Sequence, residues 1–108
     1  MSYLLPEDIK SYNKDGELIE MPKIKVLLAD DHAMIREGTK RILEESGNIE
    51  VIGEACDGVE AINQAIFLHP DVVLMDIAMP RLDGVKATQE IKEKLPSVAV
   101  LILSAYDD

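Results

Sequence analysis

Four short apolar runs separated by three amphipathic stretches constrain this chain more than any other feature. The runs are "IKVLLA" (24–29), "IEVIG" (49–53), "DVVLM" (71–75) and "VAVLILS" (98–104). The first, third and fourth are apolar almost without interruption, as strands covered on both faces are, and such strands belong to parallel sheets. Between them, residues 33–46 set Met34, Ile35, Gly38, Ile42 and Leu43 on one helical face and stop at Gly47-Asn48. Residues 57–68 open with Asp57 and Glu60 spaced as a capping pair, carry Ile62, Ala65 and Ile66 as a stripe, and close before Pro70. Residues 83–95 start at a capping Asp83, line Val85, Thr88, Ile91 and Leu95 on one side, and end at Pro96. The order β-α-β-α-β-α-β with right-handed crossovers predicts an α/β fold built on a doubly wound parallel sheet.

A chain of 108 residues supports at most one such domain. Its 47% apolar and 30% charged residues are the balance of a chain with a core. The formal charge of −10 repels phosphate backbones and anionic membrane surfaces, so direct nucleic-acid binding and membrane docking are not expected. Cations and basic surfaces are the favoured partners. The single cysteine, Cys56, has no partner within the chain, which fits a reducing compartment, and a lone thiol in a small-residue stretch reads as packing. No apolar run approaches the roughly 18 to 20 residues of a membrane span, and the first twenty residues lack a basic start and apolar centre. A cytoplasmic location is expected. Residues 1–22 are polar, with a turn signal at Lys14-Asp15-Gly16, and are read as a flexible extension ahead of a domain over 23–108.

The polar residues at the strand ends point to chemistry. The first strand runs into Asp30 and Asp31, the third into Asp76 and the fourth into Ser104, all on the carboxyl side of the sheet, where ligands of doubly wound sheets collect. If the first and third strands are neighbours, as in the flavodoxin-like order 2-1-3-4-5, three carboxylates converge. They repel unless protons stay on or a cation enters. Mg²⁺ suits such a site, since it takes oxygen ligands and is held by one or two carboxylates plus a phosphate. A carboxylate can also attack phosphorus to give an aspartyl phosphate when nearby positive charge offsets that of the transferring group. Asp76, alone at its strand end, is the candidate acceptor.

The segments "VLLADDHAMIREG", "GEACDGVEAI", "PDVVLMDIAMPRLDGVKA" and "VLILSAYDD" resemble the receiver domain of two-component response regulators, in particular the type joined to a LuxR-like helix-turn-helix output domain. The resemblance runs from about Lys23 to Asp108 without a gap. It implies a flavodoxin-like fold and a phosphorelay module, not an enzyme, that takes a phosphoryl group on Asp76 from a histidine kinase or phosphotransfer protein. It further implies that Asp31 binds Mg²⁺ directly, Asp30 through water, and Ala78 through its backbone carbonyl. Ser104 matches the hydroxyl that follows the phosphoryl group. Met79-Pro80 and Asp83-Gly84 shape the loop that aims Asp76, with Pro80 fixing φ and Gly84 suiting a tight turn into the helix.

The chain also departs from that family's pattern. No lysine matches the one that the fifth strand supplies to the phosphoryl group, and the fifth strand and last helices are absent, so the receiver reads as C-terminally truncated. The fourth strand is then expected as an exposed edge, inviting self-association through residues 98–103 or cover from residues 1–22 by Tyr3, Leu4, Leu5 and Ile9. A module that no longer switches by phosphorylation, either a receiver-derived interaction piece or an inert fragment, is the competing reading.

Other strand-end chemistries fit less well. A haloacid-dehalogenase-like phosphatase needs a second acid two residues past its nucleophile, where this chain has Ala78. A Rossmann or P-loop protein needs a glycine-rich turn where this chain has "DDHAM". With two histidines and no cysteine near the acids, zinc is not expected; His32 is read as a loop or helix-entry residue and His69 as a helix terminus.

Overall fold

The computed structural model describes residues 11–19, 22–79 and 81–103. Within the segment set apart as an extension, β1 (Ser11–Tyr12) and β2 (Leu18–Ile19) form a small antiparallel hairpin. Asn13 organises its turn: the side-chain oxygen accepts the N–H groups of Asp15 and Glu17, both at 2.9 Å. Gly16 takes a φ of +82° that glycine adopts without a Cβ clash. Residues 1–10, including Tyr3, Leu4, Leu5 and Ile9, lie outside the described residues, as do Pro80 and Ser104.

The remaining elements are β3 (Ile24–Ala29), α1 (Ala33–Glu45), β4 (Ile49–Ala55), α2 (Gly58–Leu68), β5 (Val72–Asp76), α3 (Gly84–Lys94) and β6 (Ala99–Leu103). The four long strands are all parallel, in the order β4-β3-β5-β6. That is the flavodoxin-like order, with the chain reversing direction across the sheet after β4. The α1 crossover moves one way from β3 and the α2 and α3 crossovers move the other way. With one handedness throughout, α1 must lie on the face opposite α2 and α3.

Local chemistry sets the helix ends. Asp57 caps α2 by accepting the Glu60 N–H at 2.8 Å, and Asp83 caps α3 by accepting the Lys86 N–H at 2.9 Å. His69 terminates α2 with a φ of +49°, the left-handed position that often closes a helix. A leucine–proline pair ends α3: Pro96 has no N–H to continue it, and Lys92 satisfies the Pro96 carbonyl at 2.9 Å.

The core lies between the sheet and the α2/α3 layer. Leu27 and Ala29 of β3, Val73 and Met75 of β5, Ala61, Ile62 and Ala65 of α2, and Ala87 and Ile91 of α3 form one buried cluster. In α3 the buried row runs through Gly84, Ala87 and Ile91, while Val85, expected on the packed side, lies on the exposed flank. The other face of the sheet is covered less completely. Val26 and Leu28 are buried there, Val72 and Leu74 are half-buried, and Leu101 and Leu103 of β6 are exposed.

Two sequence expectations are corrected on this side. The apolar row Met34, Ile35 and Ile42 does not meet the sheet, with Met34 87% and Ile42 72% exposed. The half-buried residues of α1 are Arg36, Thr39, Lys40 and Leu43, so the helix sits on β3 and β4 by a mixed face. Likewise β6 is not covered on both faces, because β5 is its one strand neighbour among the described residues and no helix lies over Leu101 and Leu103.

These contrasts predict unequal mutational costs. Ile91→Ala should destabilise the fold by about 2–5 kcal/mol, whereas Met34→Ala should stay within about 0.5 kcal/mol. Urea melts of the two variants would measure the difference, and equal midpoints would contradict the core placement. Asp57 offers a pH test. The Glu60 N–H, with Arg81 beside it, holds the Asp57 carboxyl below the ordinary value of 3.8. A depressed folded pKa adds stability that is present above the unfolded value and lost as pH falls through the folded one. Asp57→Asn, which keeps a capping oxygen, should therefore be less stable than the parent at neutral pH and converge with it below about pH 4. Denaturant midpoints across that range would check the convergence.

Candidate acidic site at the strand ends

Parallel pairing of β3 with β5, in a register that sets Ala29 against Met75, brings the residues after β3 beside the end of β5. Asp30 and Asp31 thus meet Asp76. One ligand atom from each of Asp30, Asp31, His32 and Asp76 can be chosen so that all lie within 4.8 Å of one another. Asp30 and Asp76 are half-buried and Asp31 is exposed.

Short backbone contacts hold the acids. The Asp30 N–H donates to the Ala55 carbonyl at 3.0 Å, which ties the loop to β4, and Asp30 Oδ1 accepts the His32 N–H at 2.8 Å. Arg36, one turn into α1, donates from Nη1 to the Asp30 carbonyl at 2.6 Å and from Nε to Glu54 Oε1 at 3.1 Å. Asp76 Oδ1 accepts the Ala78 N–H at 3.2 Å. Beyond it the chain turns tightly: the Gly84 N–H donates to the Ile77 carbonyl at 3.1 Å, and a Cβ on Gly84 would collide with the Asp76 carbonyl. Any larger residue at that position would push α3 off the strand end.

Such a donor set could hold a hard cation. Two ionised carboxylates about 4 Å apart repel by about 4 kcal/mol at an effective dielectric of 20. A divalent cation turns that repulsion into attraction, and three carboxylates suit the all-oxygen preference of Mg²⁺. The His32 ring adds a nitrogen within reach of both acids of the pair, with Nδ1 2.9 Å from Asp31 Oδ1 and 3.2 Å from Asp30 Oδ1.

The three acids expected together are together, and Ala78 follows in the adjoining loop. Ser104 is outside the described residues, but it follows Leu103, which pairs in register with Asp76. Sequence reasoning missed three side chains. His32 is the N-cap residue of α1 without a side-chain capping bond, and its ring joins the acids instead. Arg36 was detectable in principle, since it lies one helical turn past the acid pair. Arg81 was not: it pairs with Asp57, 24 residues away, at 2.6 Å. A second group, Cys56, Asp57 and Glu60, also brings possible ligand atoms together. There Asp57 is already engaged by Glu60 and Arg81, and the Glu60 carboxylate, accepting the Cys56 thiol at 3.5 Å, pushes the pKa of that thiol up. Among the described residues no helix is long and apolar enough to cross a membrane.

Comparison with known proteins covers most of the chain. Residues 26–108 match the response regulator receiver domain family. The transcriptional regulatory protein DegU of Brevibacillus brevis is 42% identical over 93 residues, which is 86% of this chain and 39% of DegU. A solved LuxR-family two-component response regulator from Aurantimonas sp. SI85-9A1 is 32% identical, with a TM-score of 0.75 over 79% of this chain and 61% of that one. A solved CheX–CheY–BeF₃–Mg²⁺ complex from Borrelia burgdorferi is 26% identical, with a TM-score of 0.77 over 97% of this chain and 74% of that one. The chain spans about two-fifths of the length of the curated relatives it matches. With most of its length matched by one family, and with solved members superposing on the same sheet, this chain belongs to the response regulator receiver domain family of two-component systems, alongside receivers of the LuxR type.

Proposed function

We propose that this chain is a phosphoacceptor module: Asp76 takes a phosphoryl group from a histidine kinase or phosphotransfer protein, with Mg²⁺ held by Asp31, Asp76 and the Ala78 carbonyl directly and by Asp30 through water. The observation that carries this reading is the convergence of three carboxylates at the ends of two adjacent parallel strands. The Mg²⁺ of the Borrelia burgdorferi complex supports the choice of ion. When bound, Mg²⁺ offsets the charge on the oxygens of the transferring group.

The chain's own residues do the rest. The Ala78 N–H holds one oxygen of Asp76 and so orients the carboxylate. The other oxygen attacks phosphorus, an O–P bond forms, the P–N bond to the donor imidazole breaks, and its electron pair returns to that ring. Asp30 and Asp31 keep the metal beside the acceptor and prevent three bare carboxylates from repelling an incoming anion. Ser104, one residue past the register partner of Asp76, is the hydroxyl that tracks the new phosphoryl group. The name of DegU extends to this chain as a further proposal, that the phosphorylated state is read out as control of transcription. A cytoplasmic setting follows from a kinase-fed relay of this kind.

Two measurements test the reading. In a Mg²⁺ titration followed by NMR, the amides of Asp31, Asp76 and Ala78 should shift together, and Asp31→Ala should weaken that response at least about tenfold. A response that Asp31→Ala leaves untouched would place the metal elsewhere. Acetyl phosphate with Mg²⁺ should add one phosphoryl group, seen by intact mass, and Asp76→Asn should abolish it; label that survives in Asp76→Asn sinks the acceptor assignment.

A further inference from the structure

The loop that follows Asp76 is fastened at a point the proposed chemistry does not use. Asp57 is the one charged side chain buried among the described residues, and it stands apart from the acidic cluster. Its two oxygens have separate tasks. Oδ1 accepts the Glu60 N–H as the cap of α2, and Oδ2 accepts both Nε and Nη2 of Arg81, at 2.8 Å and 2.6 Å.

Arg81 lies in the loop between β5 and α3 with a φ of +67°. That region is costly for a residue with a Cβ, a cost that a contact from outside the local backbone can offset. Among the described residues of this loop, its guanidinium is the one group in an ion pair. Backbone contact accompanies the pair: a Cβ on Gly58, the first residue of α2, would collide with the Leu82 carbonyl. Met79 anchors the same loop by burial in the core. Between these anchors and Asp76 lies Ala78.

We propose that Arg81 is a positioning residue for the acidic site: by pairing with Asp57 it fixes the loop 77–83 against the start of α2 and so holds Ala78 where its carbonyl reaches the metal. The inference rests on the phosphoacceptor reading above. The Arg81 side chain is 61% exposed, and pairs with one end in solvent stabilise a fold little. The effect therefore belongs in the position of the loop and in metal affinity, with little change in global stability.

The test uses the full chain and three variants, Arg81→Ala, Arg81→Gly and Arg81→Lys, each titrated with Mg²⁺ alone and followed by the amide shifts of Asp31 and Ala78. Glycine removes the backbone cost together with the pair, so it separates the two. The half-saturating Mg²⁺ concentration should rise about 3- to 10-fold in both Arg81→Ala and Arg81→Gly, less than the roughly 10- to 100-fold for direct supports of metal ligands because Arg81 acts on a backbone ligand at some remove. Arg81→Lys should recover most of the loss, and all three melting temperatures should stay near the parent. Acetyl phosphate labelling at saturating Mg²⁺ should proceed at the parent rate. Unchanged half-saturation in both Arg81→Ala and Arg81→Gly overturns the positioning role while leaving the acceptor assignment intact. A parent chain that neither shifts with Mg²⁺ nor takes label overturns the acceptor assignment, and this inference with it.

Discussion

The structure depends on one conflict, the crowding of like charges that parallel pairing imposes. Once β3 and β5 are neighbours, Asp30, Asp31 and Asp76 leave the sheet at the same end and cannot separate without moving the strands. The strands resist because Val26–Ala29 are buried in an unbroken row and Val73 and Met75 lock β5 to the α2/α3 layer. Each buried side chain of that size contributes about 1.5–3 kcal/mol, so several together outweigh a repulsion of a few kcal/mol between partly solvated acids. The fold thus keeps three carboxylates together at one end of the sheet.

The connections are shaped by the same demand. Loops that carry the acids cannot be long and loose, or the carboxylates would drift apart. Arg36 and Ala55 hold the Asp30 backbone from the α1 and β4 sides, while Gly84 lets α3 begin against the Asp76 carbonyl. Arg36 serves further by placing a positive charge behind the acid pair, on a side from which it does not compete for the carboxylate oxygens. Glu54 in turn fixes Arg36.

Much of this was legible in the sequence because its causes are local. Strand and helix ranges followed from apolar periodicity, and Asp57 and Asp83 read as caps because a cap needs only its own next three residues. The flavodoxin-like order, and with it the meeting of the three acids, came from the family resemblance, because crossover handedness sets the face on which a helix lies and not the order of the strands. What sequence did not show depends on where an element sits once packed. Met34, Ile35 and Ile42 are apolar at helical spacing, but the sheet contacts the neighbouring side of α1, so periodicity identified a face without identifying what it meets. His32 read as a loop or helix-entry residue, and it does stand at the entry of α1, but nothing in "ADDHAM" shows the ring turning back onto both acids. The Asp57–Arg81 pair joins two loops that only the finished sheet brings together.

The two faces of the sheet therefore have different roles. On the α2/α3 face, burial is continuous from Ala55 to Val98, and the caps and the Asp57–Arg81 pair extend that rigidity into the loop after Asp76. On the α1 face, burial fades from Val26 and Leu28 through Val72 and Leu74 to the exposed Leu101 and Leu103. Asp76 stands where the two regimes meet, with a rigid loop on one side and the lightly held end of β6 on the other, where the Ile77 N–H reaches the Leu103 carbonyl at 3.3 Å. A change of charge at Asp76 would meet the greater resistance in the rigid loop and the lesser at the end of β6. Local opening costs least where few apolar contacts must be broken, so among the described residues around Asp76 the packing resists movement least at the end of β6.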